Sequence, residues 1–237
     1  MASYFASDVH LRLDRPERGA RFARWVNGLD AADSLTIVGD LCDFWYASRQ
    51  RDTDPLACDG LRALAAFRSR GGSITILAGN HDGWLGDFYT KALGARFLAE
   101  PLEIEVDSFR VHLVHGHRLG ARRPWKGWME SRGFLAAFRS IPGPIATALD
   151  HLLEHANERR RIRDDERHLA VYRRYAATLR GRADLVVFGH IHTPLVETQT
   201  EPRIIVLGGW HYRSSYLKID GSRAELIVED ATALVSR

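Results

Sequence analysis

The chain has 237 residues, is 45% hydrophobic and 27% charged, and carries a formal net charge of +3. That balance excludes a disordered polymer. Two cysteines, Cys42 and Cys58, exclude a disulfide framework, and no run approaches the roughly 18 apolar residues of a transmembrane helix. The opening MASYFASDVHL lacks a basic stretch followed by a long apolar one, so it does not read as a secretion signal and the expected location is the cytoplasm.

In chain order, SYFASDVH starts as a strand, and residues 20–29 place Phe22, Trp25, Val26 and Leu29 on one side of a helix. SLTIVGD is a second strand. Residues 61–70 form a helix that stops at Gly71–Gly72. SITILAGN is a third strand, and residues 84–93 are again helical. LEIEVDSFRVHLVHGH alternates around Asp107–Ser108 and predicts a hairpin. LVVFGH, IIVLGG, SSYLKID and AELIVED close the chain as strands. This order predicts a single α/β domain over residues 1–237 that finishes in antiparallel strands.

One segment differs. From Arg118 to Arg182 there are 15 Lys or Arg against 7 Asp or Glu, so the rest of the chain is acidic on balance. Phe134, Phe138, Ile141, Ile145, Leu149 and Leu152 recur there at helical spacing, broken by Pro142–Pro144. The segment predicts an inserted set of two or three amphipathic helices. It is either a layer burying one apolar face or a cap over a site, and its charge suits an anionic partner.

The chemistry-bearing residues gather where strands end. The first strand ends in SDVH, with Asp8 and His10, and the second in GDLCD, with Asp40 and Asp43. The third ends in GNHD, with Asn80, His81 and Asp82, and the hairpin in HGH, with His115 and His117. LVVFGHIH ends in His190 and His192, which point to one side if the chain stays extended. Oxygen and imidazole donors delivered by five strand ends predict a metal centre at the carboxyl edge of a sheet. His112 falls inside a strand and is expected in the core. His151, His155 and His168 fall in the insertion and are expected to be solvated.

In this order, D-x-H, GD-x-x-D, GNHD, HGH and GH-x-H resemble the calcineurin-like metallophosphoesterase superfamily over residues 8–192. The resemblance implies a β-sandwich flanked by helices (αββα), with residues 118–182 as an inserted helical cap. It also implies two divalent ions, with Mn²⁺ favoured and Fe or Zn²⁺ as other fits. Asp8, His10 and His192 would hold one ion, Asn80, His115 and His190 the other, and Asp40 would bridge them. An ion pair of this kind makes a hydroxide available near neutral pH and neutralises phosphoryl oxygens. His81, oriented by Asp43, would serve the leaving group as an acid, the alternative being that it only braces the loop. His117 would either approach the ions or the substrate or stand behind the ligands and polarise the loop, the second being favoured.

Within the superfamily, GDLCDFWYASR and VLGGWHYRSSYLKID resemble stretches of the pyrophosphatases that cleave UDP-2,3-diacylglucosamine in lipid A synthesis. That branch implies a phosphorylated, lipidic substrate met at the cytoplasmic face of the inner membrane. The basic, apolar insertion would then grip it through Arg122, Arg123, Trp125, Phe134 and Phe138. The chain departs from the best-known branch at His81, where an arginine is expected, and at His117 and Gly209, where aspartates are expected. A metallophosphoesterase acting on another nucleotide or phosphodiester is the alternative. Nucleic acid is a disfavoured partner, since no basic-aromatic binding motif is present.

Overall fold

Burial alternates along the strands because successive side chains leave opposite faces of a sheet. In a computed structural model, which describes residues 1–43, 56–120, 141, 145 and 161–230, that alternation builds two stacked sheets. The first carries β1 (Ser3–Ala6), β2 (Ser34–Val38), β3 (Ser73–Leu77) and β4 (Arg96–Leu98) in parallel. Antiparallel strands β10 (Arg213–Asp220) and β11 (Arg223–Asp230) continue it beyond β1, giving the order β11-β10-β1-β2-β3-β4. The second has the order β5-β6-β7-β9-β8. Its members are β5 (Leu102–Val106), β6 (Phe109–Val114), β7 (Leu185–Phe188), β8 (Leu195–Glu197) and β9 (Arg203–Val206).

Phe5, Val38, Leu77, Leu217 and Ile219 of the first sheet meet Val111, Leu113, Leu185, Val187 and Ile205 of the second, and this is the inner core. Their neighbours in sequence face outward. Ala6, Ile37 and Ile76 take helices α1 (Pro16–Asn27), α2 (Asp59–Ser69) and α3 (Gly86–Leu93) through Phe22, Val26, Leu61, Leu64, Phe67 and Tyr89. Val114, Val186, Phe188, Ile204 and Val206 take helix α4 (Arg161–Ala177) through Tyr172 and Ala176. The result is the expected helix–sheet–sheet–helix layering. Each fully buried side chain of this size contributes roughly 1.5–3 kcal/mol of burial free energy.

Helix α1 starts a turn earlier than its apolar spacing predicted, because Pro16 suits a first helical position, where its missing N–H is no loss. The three-residue strands β4 and β8 gave no periodic signal. Helix α4, the C-terminal part of the basic segment, packs as a layer on the second sheet, with Tyr172 stacked on Phe188 at 4.1 Å. Arg122, Arg123, Trp125, Phe134 and Phe138, with most of the predicted cap, lie outside the described residues. Among the described residues no helix is long and apolar enough to cross a membrane.

Candidate metal centre

Parallel strands bring their carboxyl ends to one edge, and the two sheets do so together. The loops after β1, β2, β3, β6, β7 and β9 therefore converge. They interlock through the backbone: Asp8 N–H donates to Gly39 O at 3.2 Å, His10 N–H to Asp40 O at 3.0 Å, and Trp210 N–H to Asp8 O at 3.2 Å. Asp8, His10, Asp40 and His190 all hold positive φ, between 49° and 65°. Each such residue costs about 1 kcal/mol or more, a strain that gathers at functional sites.

Two groups of donor atoms result, Asp8–His10–His192 and Asp40–His115–His190, and within each the atoms lie within 4.8 Å of one another. A third grouping, His10–Asp40–His81, joins them. Asp40 stands between: its Oδ2 is 3.9 Å from His10 Nε2 and 3.4 Å from His115 Nε2. Asn80 Oδ1 lies 3.2 Å from His115 Nε2. Eight of the eleven histidines form two rows of neighbouring rings. One runs His211–His192–His10–His81 with centroids 4.7, 5.2 and 4.7 Å apart. The other runs His168–His190–His115–His117 with centroids 5.3, 5.3 and 5.2 Å apart.

Glycines make this crowding possible. A Cβ on Gly39 would sit 2.5 Å from His115 Nδ1, and one on Gly189 would sit 2.7 Å from the same atom. A Cβ on Gly79 would fall 2.0 Å from Asp40 Oδ1. The glycine of GDLCD, GNHD and GHIH is thus the space into which Asp40 and His115 fit.

Charge is distributed unevenly. Burial depresses the pKa values of His10 and His190, so both present neutral lone pairs. For His81 and His115 burial acts the same way, but the Asp40 carboxylate, joined by Asp43 at His81, outweighs it. They are held up to about 9 and about 10. His81 Nδ1 lies 3.5 Å from Asp43 Oδ1, whose carboxyl is held far below its ordinary range by His81 despite burial. Arg12 Nη1 reaches the other oxygen of Asp43 at 3.4 Å.

Buried polar atoms match a cation. Asp8 Oδ1, His10 Nδ1 and His10 Nε2 are buried without a hydrogen-bond partner. Unpartnered buried lone pairs from a carboxylate and an imidazole, beside an amide oxygen, suit a divalent ion.

Every predicted metal-site residue reaches this edge, as do His81 and Asp43. Asp82 does not: its carboxylate turns inward and accepts N–H bonds from Gly79, Asp40 and Leu41 at 3.1, 3.2 and 2.7 Å, bracing the Asp40 loop. His117 stands behind the ligands, with Nδ1 3.2 Å from Glu100 Oε1. His112 is buried, but in a polar link, with Glu103 at 3.2 Å and Tyr175 Oη at 3.0 Å. His168 is not a solvated residue of the insertion; it is half-buried beside His190, because α4 docks on the second sheet. His211 escaped the sequence reading, although IIVLGGWH repeats the pattern of strand, glycine and histidine.

The two-sheet α/β sandwich and its donor set suit a metal-dependent phosphoester hydrolase, the class to which the family match and the named relatives assign the chain. The chain belongs to the calcineurin-like phosphoesterase family, which residues 1–194 match. It is similar to a protein of Photorhabdus laumondii named UDP-2,3-diacylglucosamine hydrolase, with 30% identity over 96% of this chain and 98% of the relative. A relative of the same name from Aeromonas salmonicida is 32% identical over 92% of this chain and 89% of its own length. The fold is shared with an archaeal phosphodiesterase of known structure, at a TM-score of 0.50 and 16% identity, covering 96% of this chain and 99% of that one.

Proposed function

We propose that this chain hydrolyses the pyrophosphate bond of UDP-2,3-diacylglucosamine, adding water across the P–O–P link to give UMP and the diacylated sugar 1-phosphate. The observation that supports it is the pair of donor groups, Asp8–His10–His192 and Asp40–His115–His190, in a chain whose full-length relatives carry that name.

In this reading the first group holds one divalent ion, the second with Asn80 holds another, and Asp40 faces both. Mn²⁺ is the ion of choice for a carboxylate, imidazole and amide set, with Fe or Zn²⁺ as substitutes. The chemistry that ions held by these residues would supply is a lowered pKa for a bound water and compensation of charge on the phosphoryl oxygens. The rest falls to side chains. Asp43 stands 3.5 Å from His81 Nδ1 and favours the charged ring, so that Nε2 can hold a proton for the leaving oxygen. Asp82 keeps the Asp40 loop in place. Arg122, Arg123, Trp125, Phe134 and Phe138 of the basic insertion supply phosphate grip and apolar surface for acyl chains. The substrate is met at the cytoplasmic membrane face.

The test is to incubate the Mn²⁺-loaded protein with UDP-2,3-diacylglucosamine and measure UMP. UDP-N-acetylglucosamine and bis-p-nitrophenyl phosphate run beside it, because His81, His117 and Gly209 differ from the best-known branch. Release selective for the acylated substrate is expected. Turnover of the generic diester alone would keep the hydrolase and discard the lipid.

A further inference from the structure

His211 lies outside both donor groups, yet it touches one of them twice. Its ring stacks on His192 at 4.7 Å with planes 23° apart, and its centroid is 5.3 Å from that of His10. His192 is the more exposed ligand candidate of its group: its side chain is 24% exposed, against 4% for His10 and 0% for Asp8. A half-open imidazole on a loop can turn about its Cβ–Cγ bond. A ligand needs that turn stopped, with Nε2 toward Asp8 Oδ1, which is 3.5 Å away.

The loop carrying His211 is built to hold still. Gly209 N–H donates to His192 O at 3.0 Å, and Trp210 N–H to Asp8 O at 3.2 Å. The Arg21 guanidinium of α1 donates to the carbonyls of both Trp210 and His211. Trp210 itself is fully buried against Phe22 and Trp25. At position 209, a Cβ would meet the His192 ring at 3.1 Å and His211 Nδ1 at 3.3 Å, so a glycine there leaves the space in which the two rings close on each other.

We propose that His211 is a positioning residue for the first ion: its ring face locks the His192 imidazole in the orientation that ligates. This rests on the metal-centre reading above, and it requires the flat ring of His211 rather than its nitrogens. Groups that orient a ligand typically change metal affinity by about 10–100-fold when removed.

The experiment measures Mn²⁺ binding by titration calorimetry to the full chain and to its His211→Ala and His211→Phe variants, with the melting temperature of each metal-free protein as a fold check. His211→Ala is expected to weaken the tighter or the weaker of the two binding steps by about tenfold and leave the other unchanged. His211→Phe, which keeps a flat ring, is expected to restore affinity to within about threefold. Equal loss in both variants would overturn the proposal, since the nitrogens would then matter. No loss in either would overturn it as well. Because the readout is binding of the ion, it is separate from the choice of substrate. A positive result with no cleavage of UDP-2,3-diacylglucosamine would fail the functional proposal and leave this one standing. A chain that binds no Mn²⁺ would fail the metal-centre reading, and this inference with it.

Discussion

Asp40 Oδ2 stands 3.4 Å from His115 Nε2, while Nδ1 of the same ring donates to the Val38 carbonyl at 2.9 Å. The carbonyl fixes which nitrogen points into the site. The carboxylate keeps that nitrogen protonated, to about pH 10, against the opposing effect of burial. A metal ligand must give up its proton. Mn²⁺ binding at pH 7.5 is therefore expected to release roughly one proton from His115. Calorimetry in buffers of different ionisation enthalpy reads this directly, and heats independent of buffer would refute it.

Asp40→Ala removes the carboxylate that faces both donor groups. Turnover of every phosphoester tested should fall by about a thousandfold or more, a loss comparable to removing a principal charge-stabilising group. Near-normal rates on any substrate would sink the reading of Asp40 as a shared ligand.

Gly79→Ala places a methyl 2.0 Å from Asp40 Oδ1 and 2.4 Å from its backbone nitrogen. The chain must shift, at a cost of ~1–3 kcal/mol. A fall in melting temperature of roughly 2–4 °C per kcal/mol is expected, together with weaker Mn²⁺ binding. Gly181→Ala is the comparison: φ there is 74° but nothing lies within 4 Å, so backbone strain is the whole effect and metal affinity should not move.

Asp43→Asn keeps the shape beside His81 and removes the charge. In the metal-free protein Asp40 and Asp43 hold the His81 pKa up against burial; with ions on Asp40, the Asp43 carboxylate, which lies outside both donor groups, still does so, and the proton is lost above the raised value. Without Asp43 the His81 pKa moves down. The alkaline limb of the pH–kcat profile should then shift to lower pH by roughly one unit. The maximal rate should fall by about 10–100-fold. A variant with the wild-type limb would remove His81 from the proton transfer.

Asp184 offers a pH test of the scaffold instead of the site. It accepts from Arg110 N–H at 2.8 Å and from the Arg110 guanidinium at 2.8 and 3.1 Å, which holds its carboxyl at about 2. A depressed carboxylate contributes stability above its ordinary value of about 3.9 and loses it as pH falls through about 2. Asp184→Asn should melt below wild type at neutral pH, modestly because the pair is exposed. The gap should close between about pH 4 and pH 2. A gap that persists at pH 2 would assign the effect to packing.

The strands and the donor motifs were legible for one reason: the ligand candidates sit directly after apolar runs, so one short window holds both signals. What was hidden depends on distant pairing. His211 reaches His192 only because β9 pairs with β7 and the chain then returns through β10, placing the loop after β9 beside the loop after β7. His168 looked solvated because its helix read as part of a cap; docking of Tyr172 on Phe188 brings it to His190 instead. Asp82 was grouped with the donors by proximity in sequence, yet five backbone and side-chain donors, Tyr89 Oη among them, turn it inward. The glycines of the motifs read as strand ends, and their contact with His115 and Asp40 arises only where loops far apart in sequence converge.

The left-handed backbone at Asp8, His10, Asp40 and His190 sets folding and chemistry against each other at the same four positions. Glycine adopts that conformation freely. At His10 and His190 it would also remove imidazoles buried among other rings, whereas at Asp8 and Asp40 it would take away the acceptors of the His190 and His81 N–H groups. A library sorted only for survival on heating should therefore drift toward glycine at the two histidines, and the same library sorted for hydrolysis should lose those members. The distance between the two winners would measure what this protein gives up in robustness to keep its donors in place.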